Sequence, residues 1–119
     1  MYVVMAEDPI PNMSADEVRN YFSDKGSEKD LADAYAITCN KFFWVEDNEY
    51  DYEEGTPEHK AALDITDEWN ALMEEYENRI FDILTKEDIT IPTTGQIEVL
   101  KLFMARFGYI DGNGWWIKP

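Results

Sequence analysis

Apolar residues recur at steps of three and four along most of this chain, and the longest such run sets its organisation. It opens with Thr56-Pro57-Glu58-His59, and residues 58–85 then hold no further proline or glycine. Ala62, Ile65, Trp69, Leu72, Met73, Tyr76, Ile80, Ile83 and Leu84 fall on one stripe of an α-helix, while Asp64, Asp67, Glu68, Glu74, Glu75, Glu77 and Asp82 occupy its other faces. Proline suits the first helical turn, where its missing N–H costs nothing. Glu58 lies near the positive end of the helix dipole. The spacing predicts one long, acidic helix over residues 57–85.

The same reading predicts three shorter helices. Ser14-Ala15-Asp16-Glu17 has the form of a capping box, opening a helix over 15–25 with Val18, Tyr21 and Phe22 inward and Gly26 as its stop. Ser27-Glu28-Lys29-Asp30 is a second start signal. Leu31, Ala34, Tyr35, Thr38, Phe42 and Val45 then mark a helix over 28–46, with Cys39 beside the stripe as a small core residue. Phe42-Phe43-Trp44 is too broad for one narrow stripe, so either two elements pack on it or one ring stays exposed. Thr93-Thr94-Gly95-Gln96 resembles a further capping box, opening a helix over 95–107 that presents Ile97, Leu100, Phe103, Met104 and Phe107, with Gly108 as terminator.

Strand signals are short. Residues 2–5 are β-prone, and Ile89-Thr90-Ile91-Pro92 reads as an edge strand closed by proline. Residues 109–117 read as a tight hairpin around Asp111-Gly112-Asn113-Gly114, or else residues 115–117 lie beside residues 2–5. The expected fold is a mainly α, compact bundle of about four helices around the long one, with a small β element formed by the N- and C-terminal segments. Of Trp115 and Trp116, one ring is expected in the core. The other is left for packing or for a contact with a second copy of the chain or a partner.

Composition adds class to this pattern. One hundred and nineteen residues with 45% hydrophobic and 14% aromatic content suit a single folded domain with one core. Cys39 is the single cysteine, so there is no intrachain disulfide. No apolar run is long enough to cross a bilayer, and Met1–Asp8 lacks the basic start and apolar length of a signal peptide. A cytoplasmic protein is expected.

Charge is the most unusual property of the chain. The formal net charge is −16, which argues against direct binding to nucleic-acid phosphate or to anionic membranes. Residues 42–77 carry thirteen acids against one base, Lys60, and so hold −12 of the total. In residues 46–55, six of ten side chains are acidic and none is basic. The face expected to meet a basic partner is formed by Glu46, Asp47, Glu49, Asp51, Glu53, Glu54, Asp64, Asp67, Glu68, Glu74 and Glu75. A solvated acidic face is the bland alternative. Carboxylates one helical turn apart approach the spacing of phosphates along a DNA strand. In size and charge density, though in no motif, the chain resembles small acidic proteins that imitate DNA, such as phage and mobile-element inhibitors of restriction or CRISPR nucleases. That resemblance implies a nucleic-acid-binding protein as the basic partner.

A second reading comes from the acidic linker. Asp47, Glu49, Asp51 and Glu58 stand at places 1, 3, 5 and 12 of a calcium loop. Tyr52 stands where such a loop needs glycine, and Pro57 directly precedes the last ligand, so the match is degenerate. Enzyme signatures are missing. His59 is the single histidine, which excludes multi-histidine zinc sites, and no elbow, P-loop or dinucleotide fingerprint occurs. The expectation is a non-enzymatic protein-interaction domain with no cofactor, or, in the alternative, a Ca2+-binding helix-loop-helix module.

Overall fold

A computed structural model describes residues 8–111 and 116–118 of the chain. Within them the protein is mainly α. The helices are α1 (Ala15–Phe22), α2 (Glu28–Asn48), α3 (Pro57–Lys86) and α4 (Ile97–Ala105). A 3-10 turn, Glu49–Asp51, follows α2. Strands β1 (Ile110–Asp111) and β2 (Trp116–Ile117) pair antiparallel, Ile110 opposite Ile117 and Asp111 opposite Trp116. The expected strand at residues 2–5 lies outside the described residues, as does Trp115.

The helix starts follow the local chemistry. Ser14 Oγ accepts from the Glu17 N–H while Glu17 accepts from the Ser14 N–H, the reciprocal box the spacing predicts. Ser27 accepts from the Asp30 N–H, and Thr56 accepts from the His59 N–H ahead of Pro57.

Several helix boundaries and one expected strand differ from expectation. α1 stops at Phe22 rather than residue 25, because the Ser23 N–H and Oγ both donate to the Asn20 carbonyl and close the last turn. Gly26 therefore lies beyond the cap. α4 starts at Ile97: Gly95 takes φ +71°, Gln96 is the N-cap residue, and the Gln96 amide reaches back to the Pro92 carbonyl. Thr93 thus heads no capping box. Residues 89–92 form no strand. The Ile89 N–H is taken by the Leu84 carbonyl and the Asp88 N–H by that of Thr85, with Asp88 at φ +64°. This is a Schellman closure of α3 with aspartate where glycine is usual. It turns Ile89 and Ile91 onto the core instead of leaving their backbone for a ladder. At the far end of α4 a parallel arrangement uses Gly108, at φ +84°, where a side chain would be strained.

α2 and α3 run antiparallel as a helical hairpin. Glu49 meets Thr66 at its turn end, and Tyr35 meets Glu77 further along. The stripe Trp69, Leu72, Tyr76, Ile80 and Leu84 is buried against α2. Each such apolar side chain removed from water contributes about 1.5–3 kcal/mol. α1 packs on both helices of the pair with Val18 and Phe22, while α4 covers α3 with Val99, Leu100, Phe103 and Met104. Trp116 of β2 is buried against α2, its ring 6.0 Å from that of Tyr35.

Some expected core positions are not core. Tyr21 is exposed, with the Lys25 ammonium over its ring. Ile97 is exposed at the first turn of α4, and Ile65 is exposed on α3 while its neighbour Thr66 is buried. Conversely, Lys41 is buried. Its Nζ pairs with Asp8 and lies 4.7 and 5.7 Å from the ring centres of Trp44 and Trp69. A lysine can occupy such a place because its stem is apolar and its charge is met by a carboxylate and two ring faces.

Candidate functional site

The acidic residues separate into two settings along the hairpin. At its turn end, Glu46 and Asp47 close α2, whose last turn holds no base. Acids at a helix C-terminus oppose its dipole. Burial and the charges of Glu49 and Asp47 push the Glu46 carboxyl above the usual range. Asp51, Glu53 and Glu54 follow on the exposed connection to α3. Glu49 is tied back, its Oε2 accepting from Thr66 Oγ1 at 2.9 Å.

Along α3, Asp64, Asp67, Glu68 and Glu74 are exposed on the side away from the buried stripe. Glu74 accepts a 3.4 Å hydrogen bond from the Asn70 amide. Glu75 belongs to the same face but is not bare. Arg19 of α1 grips it through Nε and Nη2 and also holds Asp16. Glu77 turns inward and accepts from the Tyr35 hydroxyl at 2.7 Å. Its burial raises its pKa and the tyrosine hydrogen bond offsets part of that.

The protein's bases are engaged mainly elsewhere. Lys25 pairs with Asp24, Lys29 with Asp33, Lys41 with Asp8, Lys101 with Glu98, Arg106 with Glu87 and Glu28, and Lys118 with Asp33. Of the residues expected to meet a partner, Glu75 pairs with Arg19, while Glu49 and Glu74 accept hydrogen bonds from Thr66 and Asn70.

A feature the acid count did not reveal lies at the turn end. Between the end of α2, the 3-10 turn and the first turns of α3 is an open cleft of about 380 Å³. Trp44, Val45, Ala61, Ala62 and Ile65 supply apolar walls, and Tyr52 flanks them. Glu49, Asp51 and Glu58 bring carboxylates to the same cleft. The signal in the sequence was the surplus ring in Phe42-Phe43-Trp44. α2 spends one face on α3 and another on β2, and Trp44 is left between the core and the cleft.

The calcium reading depends on residues 47–58 wrapping one point. Instead α2 persists to Asn48, so Asp47 lies in a helical turn, and Glu49 and Asp51 belong to the 3-10 turn. Glu58 is exposed in the first turn of α3. Among the described residues no three His, Cys, Asp or Glu side chains gather as a metal-ligand set. Cys39 is fully enclosed in the core, and burial pushes its thiol well above the ordinary range, which keeps it protonated at neutral pH. His59 is half-buried in the first turn of α3. Among the described residues, no helix is long and apolar enough to cross a membrane. Comparison with protein-family models, with curated proteins and with solved structures finds no match to this chain.

Proposed function

We propose that this protein is a non-enzymatic, cytoplasmic interaction domain that binds a basic partner through the turn end of the hairpin and the outer face of α3. The observation that carries this reading is the placement of the protein's own bases. Arg19, Lys29, Lys41, Arg106 and Lys118 are paired with acids that lie, Glu75 apart, outside residues 42–77. Asp64, Asp67 and Glu68 meanwhile stay exposed at helical spacing on α3. Like charges one turn apart cost a few tenths of a kcal/mol per pair, about 0.2–0.5. A partner rich in lysine and arginine would relieve that cost and release counterions as it docked.

A basic protein that itself grips nucleic acid is the partner class this favours, since successive carboxylates on a helix can occupy the places of backbone phosphates. An inhibitor of the DNA-mimic type, carried by a phage or mobile element, is the narrower form of the same proposal.

The test is partner capture with the wild type and with an Asp64→Lys, Asp67→Lys, Glu68→Lys variant, at rising salt. Expected partners are basic proteins that leave the wild type between roughly 50 and 200 mM salt and are not held by the variant. Neutral or acidic partners, or partners that ignore both salt and charge reversal, would overturn the proposal.

A further inference from the structure

We infer that the turn-end cleft receives one apolar side chain of the basic partner, presented on an amphipathic cationic segment. This rests on the reading above and makes it specific. Single exposed apolar residues are ordinary, but here Ile65 and Tyr52, 45% and 47% exposed, stand at a concavity with Trp44 and Ala61. At about 380 Å³ it lies near the lower end of the range for ligand pockets, a scale that suits one large side chain rather than an extended ligand. Its lining supplies apolar surface, and its charges are the carboxylates of Glu49, Asp51 and Glu58.

That combination selects the occupant. A second copy of this chain brings the same −16 and is repelled. A neutral apolar ligand would leave the carboxylates unanswered. On an amphipathic helix, an apolar anchor has neighbours three and four residues away. Lysines or arginines there can lay their stems along Tyr52 and Ile65 and carry their charges to the carboxylates. The apolar wall then fixes the register, while the acids supply attraction and on-rate.

Two synthetic peptides of equal charge separate this from attraction alone: an amphipathic lysine–leucine helix and an oligolysine. Each is titrated calorimetrically into the wild type, Ile65→Asp and Ala61→Phe. Both positions are exposed, so the variants should fold, and their melting curves check it. The amphipathic peptide is expected to bind the wild type about tenfold more tightly than oligolysine. Both substitutions should remove that advantage, one by making the wall polar and the other by filling the cleft without changing charge. Oligolysine should not bind either variant more weakly than wild type by more than about twofold.

Equal affinity of the two peptides, or an advantage that survives both substitutions, would overturn the cleft proposal and leave the acidic-face reading standing. Failure of both peptides to bind would overturn both. Saturable binding of a tetraalkylammonium salt with no preference between the peptides would overturn the proposal in favour of a small organic cation. Wild-type self-association that Ile65→Asp abolishes would overturn it in favour of a second copy.

Discussion

Where α1 and α4 pack on the hairpin, carboxylates are met by the protein's own bases. Arg19 bridges Asp16 and Glu75, Arg106 bridges Glu87 and Glu28, and Asp33 accepts from Tyr109 and pairs with Lys29 and Lys118. At the end closed by the 3-10 turn, α1 and α4 do not intervene, and residues 46–68 contain one base, Lys60. The pKa directions follow this division. Burial pushes Asp33 up, but hydrogen bonds from Tyr109 and Lys29 and the charges of Lys29 and Lys118 bring it below the ordinary range. Glu87 is lowered by its hydrogen bonds from Arg106. Glu46 is raised by burial and by its acidic neighbours. Carboxylates are thus met by the protein's own bases at one end, while Asp51, Glu53, Glu54 and Glu58 stay exposed at the other. The lesson is that the excess charge has an address.

The largest effect that would sharpen this contrast is in the core. Ile80 is fully buried on the stripe beneath the packed end, whereas Ile65 is 45% exposed beside the cleft. Ile80→Ala is expected to cost about 2–5 kcal/mol through lost transfer energy and the cavity left behind. Ile65→Ala should change stability by less than about 0.5 kcal/mol. Urea midpoints at constant m-value measure both. Comparable losses at the two sites would mean that the cleft end is part of the core, and the contrast would fail.

Titration comes next, because several groups act together. A carboxyl whose folded pKa is raised binds its proton more readily in the folded state. Glu46 and Glu77 therefore add stability as pH falls from neutral through their folded pKa toward the ordinary glutamate range. Asp33 and Glu87 work in the other sense: their contribution is present above the ordinary range and is lost as pH falls through their lowered folded pKa. Stability should therefore rise on mild acidification and fall in stronger acid. Glu46→Gln should shrink the rise, and Asp33→Asn should shrink the fall. Urea midpoints taken across the pH range check this. A profile that only declines from neutrality would show that the Glu46 and Glu77 carboxyls are not raised in the folded protein.

The helices were legible because their causes are local. Ser14, Ser27 and Thr56 cap the backbone beside them, and Trp69, Leu72, Tyr76, Ile80 and Leu84 keep helical period. What escaped depends on neighbours distant in sequence. Arg19 reaches Glu75 across 56 residues, so a count of acids along α3 could not see its neutralisation. Lys41 looks like a surface lysine until Asp8, Trp44 and Trp69 converge on it. Ile65 keeps core period but stands where α2 gives way to the 3-10 turn, so the stripe ends in a cleft instead of under a helix. The candidate site was legible as a run of acids, but the apolar cleft beside it was not.

The smallest effect bears most directly on why the acids are there. Glu68 lies one helical turn from Asp64 on the outer face of α3. Glu68→Gln keeps the side chain's size and removes one like-charge pair, so it should stabilise the fold by a few tenths of a kcal/mol, about 0.2–0.5. The gain should shrink as salt is raised, since exposed charges are screened over about 8 Å at physiological ionic strength. The same substitution should weaken capture of a basic partner at low salt. A variant more stable yet poorer at binding is the signature of charge retained for contact at the expense of the fold. If Glu68→Gln is destabilising, Glu68 has a structural partner of its own, and the outer face of α3 joins the packed end as glue.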